Sequence, residues 1–408
     1  MSREAAFIGH TRFSLFDPKS GSWRATRGIG GGLFETLEAY RNHLFSPERL
    51  KPRLDCFINL SLPNLALAKK DYRVRHIVSY SASAPEFMKE ALAEAAEQYE
   101  FLVLDEQAED AVRPPQAAVE QVANDFLAEE DVFGWYRLDD DDLLAFNYFS
   151  ALAPFVQEWS VGMSLSPSVG LTAFLEDGRF SDFRYEHFPM NAQGLASVCG
   201  KNGAQFRIPK QVSHTRTDHD HPVILYGLEP LYLRSRHLDQ DTSLDRNADT
   251  ARAKLKKEAA GQPRFEATWQ IADIFPALDG RYNRPDPIFQ TAKHIDLGSL
   301  GLDVSGVRSD AFVEMTVESL SDASTGDVLM DLDFNDFTRG RAHPRIEGLF
   351  YTGSGNKYRK KLPVRQGTQK IRFPLKFPDG ATLMSGSIFA DNPQYLGRLL
   401  EVNIFGVR

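Results

Sequence analysis

The chain has 408 residues, of which 42% are hydrophobic and 25% charged, and its formal net charge at pH 7 is −9. The length exceeds what one ordinary core accommodates, so two domains are expected, and the acidic balance argues against a general nucleic-acid binder. Two cysteines, Cys56 and Cys199, make neither a disulfide framework nor a zinc site, which indicates a reducing compartment. The N-terminus is too poor in apolar residues for a signal peptide, and no apolar run is long enough to span a bilayer. The sequence therefore predicts a soluble, cytoplasmic protein.

The first part of the chain alternates predicted strands with predicted helices. Hydrophobic runs predict strands at residues 5–16, 74–80, 101–104 and 133–138, and helices at residues 47–60, 83–98 and 116–127. Ser46 is the predicted N-cap of the first of these helices, because Pro47 suits the first helical position. Residues 17–45 are rich in glycine, but Leu33 stands where the third glycine of the dinucleotide fingerprint should fall, so we expect a flexible loop. The alternation predicts an α/β fold with a mostly parallel sheet flanked by helices.

The chain changes character after residue 245. Before that point, residues 160–165 and 170–176 read as two further strands of a first domain, 1–245. Residues 246–264 are charged and poor in large apolar residues, which predicts a linker, with at most a short solvated helix. Short strands separated by Gly, Pro, Asn and Asp follow, which predicts a C-terminal all-β sandwich over 265–408. Its clearest strands are expected at residues 311–317, 328–334, 369–373 and 400–405.

A run of four consecutive aspartates, Asp139 to Asp142, follows the predicted strand 133–138. We expect the strand to end near Leu138, because four adjacent negative charges repel one another and cannot be buried unpaired. Mg²⁺ or Mn²⁺ would pair them, since these ions take hard oxygen ligands and bridge carboxylates to substrate phosphates. The alternative is a solvated loop or a helix N-terminus, with Asp142 as the N-cap. The position behind a hydrophobic strand, where open α/β sheets bind ligands, favours the cation site.

Several segments of the sequence resemble a known protein family. They are Thr11-Arg12-Phe13, Ser46-Pro47-Glu48-Arg49-Leu50, Pro63-Asn64-Leu65, Trp135-Tyr-Arg-Leu-Asp-Asp-Asp-Asp, Asp177-Gly178-Arg179-Phe180, Ser213-His214-Thr215-Arg216 and Arg236-His237. Together they resemble the putative rhamnosyltransferase family of bacterial glycosyltransferases, for which a GT-A-type fold is expected. The resemblance covers roughly residues 5–245 and leaves the C-terminal third of the chain unassigned.

The resemblance implies a site for a nucleotide sugar and a cation. In GT-A enzymes an Asp-x-Asp at a strand end contacts the nucleotide ribose with its first carboxylate and holds Mn²⁺ or Mg²⁺ on the diphosphate with the later one. Carried onto this sequence, Asp139 contacts the ribose, Asp141 is a metal ligand and Asp140 is shared between the two. Asp139 and His237 complete the predicted metal ligands, because GT-A enzymes often bring a late histidine to the metal. Asp140 with Asp142 is an alternative register that the sequence leaves open.

Other polar residues are candidates for binding the nucleotide. Thr11 and Arg12, at the end of the first predicted strand, are candidate contacts to the base or the phosphates. Arg137 either neutralises the aspartates or meets the diphosphate. A loop at residues 213–221 is either an ordinary exposed loop or a metal-binding one. Its candidate side chains are His214, Arg216, His219 and His221.

An inverting transfer also needs a carboxylate base that takes the proton of the acceptor hydroxyl. The candidates are Asp239, Asp241 and Glu186.

The aspartate run and the resemblance together imply a metal-dependent glycosyltransferase in surface polysaccharide synthesis, moving a sugar from dTDP-rhamnose or a UDP-sugar to a glycan. The basic segment from Tyr351 to Lys361 predicts that the second domain holds the acceptor glycan or docks at the inner face of the membrane. Two other classes remain open. One is a non-catalytic carbohydrate-binding protein with structural Ca²⁺, and the other is a nucleotidyltransferase, which releases pyrophosphate.

Overall fold

A computed structural model provides the structure of the protein. It describes residues 5–19, 34–109, 112–238, 240, 248–265, 268–283, 289–291, 295–296, 300–302, 310–320, 328–335, 343, 345–346, 348–377, 380–390 and 397–406. The chain divides into two compact units, unit 1 over Met1–Asn283 and unit 2 over Arg284–Arg408. None of the described helices is long and apolar enough to cross a membrane.

The described strands of unit 1 form two sheets. They are β1 (Ala6–Arg12), β2 (Arg73–Ser81), β3 (Leu102–Gln107), β4 (Glu130–Arg137), β5 (Leu143–Leu144), β6 (Ser164–Pro167), β7 (Val169–Glu176), β8 (Arg179–His187), β9 (Ala196–Asn202), β10 (Gln205–Arg207), β11 (Val223–Tyr226) and β12 (Tyr232–Arg236). The larger sheet has the order β11-β6-β9-β4-β1-β2-β3, with β10 paired to β9, and the smaller has the order β5-β12-β7-β8. The neighbours β4, β1, β2 and β3 are all parallel, whereas β9 runs antiparallel to β4 and β6. The predicted α/β fold with a mainly parallel central sheet is confirmed.

The helices in the described part of unit 1 pack against both sheets. They are α1 (Leu37–Leu44), α2 (Pro47–Cys56), α3 (Leu62–Ala68), α4 (Glu86–Gln98), α5 (Pro115–Phe126), α6 (Tyr148–Leu152), α7 (Thr217–Asp220), α8 (Ala248–Ala260) and α9 (Ile271–Ile274). Helix α2 begins after Ser46 with Pro47 in its first turn, as predicted. A π-helical turn, Phe57–Ser61, joins α2 to α3 and places Pro63 in the first turn of α3. The chain therefore continues as a helix past Pro63.

The larger sheet is buried on both faces, as a mainly parallel sheet must be. On one face Phe7 and Tyr136 pack with residues of α2, α3, α4 and α6. On the other face Ile8 and Trp135 pack with Val119 of α5. Successive side chains of β1 point to opposite faces, so Phe7 meets the first layer of helices, whereas Ala6 and Ile8 meet α5.

Gly9 in β1 gives room for a chain of hydrogen bonds between strands. A Cβ at this position would lie 2.2 Å from His76 Nδ1 and 2.4 Å from the Tyr136 hydroxyl oxygen. In the space that glycine leaves, the Tyr136 hydroxyl donates to His76 Nδ1 at 2.9 Å. His76 Nε2 lies 2.9 Å from Thr11 Oγ1, which itself donates to the Leu138 carbonyl at 2.7 Å. These buried bonds fix the ends of β1 and β4 beside each other, where the aspartate run begins.

The smaller sheet has its own core, and that core includes residues beyond the predicted first domain. Leu171 and Leu233 pack there with Phe265, Phe275 and Tyr282. Unit 1 therefore extends to residue 283, whereas the sequence predicted a linker over 246–264 and a second domain from residue 265. The charged segment forms α8, whose buried residues are Ala251, Leu255 and Ala259. Their i, i+4, i+8 spacing places three small or apolar side chains on one face, which is enough to attach an otherwise charged helix.

Unit 2 consists of two antiparallel sheets. The described strands are β13 (Phe289–Thr291), β14 (Ile295–Asp296), β15 (Leu300–Leu302), β16 (Ala311–Ser319), β17 (Val328–Phe334), β18 (Phe350–Tyr351), β19 (Lys357–Leu362), β20 (Gly367–Leu375), β21 (Leu383–Ala390) and β22 (Gly397–Gly406). One sheet has the order β13-β22-β16-β20, with β14 paired to β22, and the other β15-β21-β17-β19-β18. Val313 and Ile404 of the first sheet share one core with Met330 and Ile388 of the second. The predicted C-terminal all-β sandwich is confirmed.

Candidate active site

A cavity of about 1160 Å³ opens at the carboxyl ends of β1 and β4. His10 and Arg12 of β1 line it, together with residues 137–142 at the end of β4. Arg49 and Arg53 of α2 form part of its wall. This is the edge at which open α/β sheets bind ligands, because the loops that follow parallel strands converge there. We call this cavity the cleft.

The four aspartates that follow β4 differ in exposure. The side chain of Asp139 is 46% exposed, whereas Asp140, Asp141 and Asp142 are buried. Each buried carboxylate has charged or hydrogen-bonding partners, which offset the cost of burying it.

Arg53 pairs with two of the buried aspartates. Its Nη1 forms a salt bridge with Asp140 Oδ1 and lies 3.1 Å from Asp141 Oδ2. Asp140 Oδ2 also accepts from the backbone N–H of Ser14 at 3.1 Å and from its hydroxyl at 3.3 Å. Arg49, one helical turn before Arg53, donates to the same hydroxyl at 2.8 Å. Sequence reasoning missed Arg53, although its spacing from Arg49 placed two arginines on one face of α2.

Asp141 lies between Arg53 and His237. His237 Nε2 is 2.8 Å from Asp141 Oδ2, at the end of β12 where the sequence predicted a late histidine. Burial alone would raise the pKa of Asp141, but the charge of Arg53 and the hydrogen bond from His237 outweigh it, so the pKa is lowered. Asp141 is therefore an ionised carboxylate at neutral pH.

Asp142 has a different environment, and it does not cap a helix as predicted. The chain continues from it into β5, and the next helix, α6, begins only at Tyr148. The Asp142 carboxylate instead accepts from Ser235 N–H at 2.9 Å and from the Gln193 amide. Burial and the neighbouring charges of Asp141 and Asp139 raise its pKa well above the usual value. Asp142 thus holds β12 to the end of β4.

The residues around Asp141 fit a divalent cation. Carboxylate oxygen and imidazole nitrogen are both ligands of Mn²⁺, and Asp141 and His237 are already within hydrogen-bond distance of each other. Asp139 adds an exposed carboxylate to the cleft. Among the described residues no group of three or more His, Cys, Asp or Glu side chains could hold a metal ion. One or two protein ligands suffice where substrate phosphates and water supply the rest, which is how Mg²⁺ is usually held.

The cleft is rich in positively charged side chains. Its described basic residues are Arg12, Arg49, Arg53, Arg137, Lys210, Arg234 and Lys254. Burial, followed by the charge of Arg137, lowers the pKa of Arg12, but an arginine stays charged at neutral pH. Such a lining suits an anionic ligand such as a diphosphate.

Two of the predicted site residues lie away from the cleft surface. Thr11 is fully buried, and its hydroxyl is engaged with Leu138 and His76. Glu186 is 4% exposed and lies 3.1 Å from Arg234 Nη1, outside the residues that line the cleft. The other base candidates, Asp239 and Asp241, lie outside the described residues.

The histidines of the segment 213–221 do not converge on one point in the described structure. His214 and His221 line the cleft, whereas His219 is exposed. His214 Nδ1 lies 2.7 Å from the Met190 carbonyl, so Nδ1 carries the hydrogen and Nε2 is unprotonated. Burial is the main reason that the pKa of His214 is lowered. His221 Nε2 is 2.8 Å from Ser164 Oγ.

Comparison with known proteins gives one family match. Residues 6–247 match the protein family described as putative rhamnosyl transferase. None of the curated proteins matches the chain.

Three of the solved structures that resemble the chain are remote likenesses. The inositol-1-phosphate CTP transferase from T. maritima has a TM-score of 0.27 and 10% identity, over 63% of this chain and 98% of that chain. A putative glucose-1-phosphate thymidylyltransferase from Bacillus anthracis has a TM-score of 0.26 and 10% identity, over 61% and 95%. A carbohydrate binding module from Cellvibrio mixtus lichenase 5A has a TM-score of 0.15 and 14% identity, over 30% and 93%. Likenesses this remote carry no argument about the chain.

Proposed function

The chain belongs to the putative rhamnosyl transferase family, as its motifs predicted, and from that premise we propose that it is a metal-dependent glycosyltransferase acting on a nucleotide sugar. The sugar is rhamnose or another hexose, and the acceptor is a hydroxyl of a glycan. The observation that carries the proposal is the position of Asp141 and His237, 2.8 Å apart, in the same site as Arg53 and the exposed Asp139. The metal ion requires carboxylate oxygens and an imidazole nitrogen as ligands, and the nucleoside diphosphate requires positively charged side chains around it.

The residues of the cleft, together with His237 beside Asp141, would have separate roles in binding the donor. Basic residues that line the cleft would pair with the diphosphate, whose charge increases as it leaves, and such pairing would lower the barrier. Asp139 would accept from a ribose hydroxyl, since its side chain is half-exposed and its one ion pair in the described structure, to Arg137 Nη2, is long at 3.9 Å. Asp141 and His237 would hold Mn²⁺ or Mg²⁺, which supplies further charge neutralisation at the leaving group. Arg53 keeps Asp140 and Asp141 in place.

In the transfer the acceptor oxygen forms a bond to the anomeric carbon of the sugar, while the bond from that carbon to the diphosphate breaks. The acceptor hydroxyl gives up its proton to a base. Asp239 and Asp241 stay predictions for this role. His214 is an additional candidate, because its Nε2 is unprotonated and the residue lines the cleft. Glu186 is engaged with Arg234, which argues against it as the base.

The test is release of nucleoside diphosphate from a panel of nucleotide sugars, with and without Mn²⁺. Asp141→Asn should reduce turnover by about 100-fold or more while the protein stays folded. Asp131→Asn is the matched control, because Asp131 lies at the opposite end of β4 and pairs with Arg73 at 2.8 Å. Release of pyrophosphate would indicate a nucleotidyltransferase, and release of neither product would indicate a carbohydrate-binding protein.

We further propose that unit 2 binds the acceptor glycan in polysaccharide assembly at the inner face of the membrane. Support comes from the hairpin of β18 and β19, where Phe350 is 63% and Tyr351 40% exposed beside Lys357 and Lys361. Aromatic faces stack on sugar rings, and lysines attract anionic glycans. Tyr358, the other tyrosine of the segment, is buried and belongs to the core. Phe350→Ala should raise the KM for the acceptor glycan and leave the KM for the donor unchanged.

A further inference from the structure

A chain of polar side chains crosses the larger sheet and ends in the cleft. His10 lines the cleft and is 6% exposed. Its Nε2 lies 2.9 Å from Ser79 Oγ in β2, and Ser79 Oγ donates to Asp105 Oδ2 in β3 at 2.6 Å. Asp105 also accepts from Gln107 Nε2 at 2.5 Å and from Arg113. The donor-binding roles already described use none of the residues behind His10.

This chain fixes which nitrogen of His10 carries the hydrogen. Ser79 has a single hydroxyl hydrogen and uses it on Asp105, so Ser79 Oγ can only accept from His10. His10 Nε2 must therefore be protonated, and Nδ1 is the nitrogen left with a lone pair. The described part of the chain supplies no hydrogen-bond partner for Nδ1. Burial, followed by the charges of Arg12 and Arg137, lowers the pKa of His10 to about 3, so the ring stays neutral at physiological pH.

Cations flank this acceptor. Arg12 follows His10 on the same face of β1, and Arg137 is its register partner on β4. All three residues line the cleft. The cleft therefore contains a histidine nitrogen that can only accept a hydrogen bond, with two arginine side chains close by that can donate one.

This arrangement complements one kind of nucleobase edge. Uracil and thymine present a ring N–H between two carbonyl oxygens, which matches an acceptor flanked by donors. Cytosine and adenine present a ring nitrogen with a lone pair at the equivalent position, which would face the lone pair of His10. Guanine has a ring N–H, but its adjacent amino group would face an arginine. A polar group left unpaired in a buried site lowers affinity sharply.

We propose that Asp105 and Ser79 hold His10 as an obligate hydrogen-bond acceptor and that His10 thereby selects a uracil or thymine nucleotide. The proposal rests on the proposed function, because it assumes that the cleft binds a nucleoside diphosphate. Ser79 and Asp105 are positioning residues, since they act only through His10.

The experiment compares the binding of UDP, dTDP, CDP, GDP and ADP to the full-length protein by calorimetry in the presence of Mn²⁺. The wild type should bind UDP and dTDP at least about tenfold more tightly than the other three. Ser79→Ala removes the oxygen that accepts from His10 Nε2, so either ring nitrogen of His10 can then carry the hydrogen. The preference for UDP over CDP should fall to about threefold or less. Ser81→Ala is the matched control, since Ser81 lies two residues along the same strand, is equally buried, and accepts from Phe16 N–H. It should keep the preference.

A spectroscopic measurement tests the same point without any ligand. Two-bond ¹H–¹⁵N correlation spectra of histidine-labelled protein should show His10 as the Nε2–H tautomer, identified by the signal lost in His10→Gln. Nδ1–H in the wild type would overturn the proposal whatever the binding data. Equal binding of UDP and CDP, or GDP bound as tightly as UDP, would overturn it and leave the proposed function standing. Binding of none of the nucleotides would remove both.

Discussion

Replacing Asp141 and Asp142 by asparagine, one at a time, should change the stability of unit 1 in opposite directions. The sequence alone suggests that either change relieves repulsion in the aspartate run and stabilises the protein. The structure separates the two positions, because Asp141 pairs with Arg53 and His237 whereas Asp142 has only neutral donors. Asp141→Asn removes a paired charge, and Asp142→Asn removes an unpaired one.

The magnitudes follow from burial. Breaking a buried ion pair by removing one partner costs about 3–5 kcal/mol, but Arg53 keeps Asp140, so we expect a loss of about 2 kcal/mol for Asp141→Asn. Asp142→Asn should raise the free energy of unfolding by about 1 kcal/mol, because asparagine removes a charge that burial disfavours. The Gln193 amide can turn to meet the new side chain, since its Oε1 is buried without a partner among the described atoms.

The effects should depend on pH with opposite signs. The pKa of Asp141 is lowered on folding, so its contribution is present above the unfolded value of about 3.9 and is lost as pH falls through the folded value. The pKa of Asp142 is raised, so its carboxyl contributes below about 3.9, and that contribution is lost as pH rises through the folded value. The advantage of Asp142→Asn should therefore grow from pH 4 upward.

Urea denaturation of the full chain in EDTA at several pH values measures both effects, with Asp131→Asn, on the strand that precedes the aspartate run, as a control. EDTA keeps any cation from masking the difference. If both variants shift the midpoint in the same direction at pH 7, the assignment of one paired and one unpaired carboxylate is incorrect.

Three further predictions concern single residues. Arg53→Met should lower the free energy of unfolding by about 3–5 kcal/mol, and Mn²⁺ should restore more of it than in the wild type, measured by urea titration with and without the ion. Equal effects of Mn²⁺ on both proteins would place the cation away from these carboxylates. Gly9→Ala should cost about 3 kcal/mol in the same assay, because its Cβ would lie 2.2 Å from His76. His214→Gln should lower kcat by about 100-fold with little change in donor KM, and an unchanged kcat would exclude this side chain as the base.

The strands and helices around the larger sheet could be predicted from the sequence, because their hydrophobic periods are clear. The predicted strand 74–80 is Arg73–Ser81 in the structure, and the predicted helix 83–98 is Glu86–Gln98. The predicted strand 160–165 is less accurate, since a 3₁₀ turn occupies Glu158–Ser160 and the strand is Ser164–Pro167. There a mixed run of small polar and apolar residues has no distinct period.

The candidate site could be predicted only in part. Its position at Asp139–Asp142 came from a local pattern, but the partners of these residues are distant in sequence. Arg53 is 87 positions from Asp140, and Gln193 is 51 positions from Asp142. A sequence shows that four carboxylates need counter-charges; it does not show which side chains supply them. The same holds for the hydrogen-bonded side chains of His10, Ser79 and Asp105, which lie on three separate strands.

The end of unit 1 leads to a last prediction, about truncation. The family match ends at residue 247, but α8 lies beyond it and contributes to the cleft, where Lys254, Leu255 and Glu258 are lining residues. Phe275 and Tyr282 belong to the core of the smaller sheet. A chain that ends after residue 246 therefore loses one wall of the cleft and exposes Leu171 and Leu233 to solvent. A chain that ends after residue 283 keeps the wall of the cleft and the residues that cover Leu171 and Leu233. We expect the longer fragment to unfold cooperatively and release nucleoside diphosphate slowly from the donor, and the shorter one to aggregate or melt at least about 10 °C lower. Equal melting temperatures would show that residues 248–283 are dispensable for the first core, and the division of the chain at residue 283 would then be incorrect.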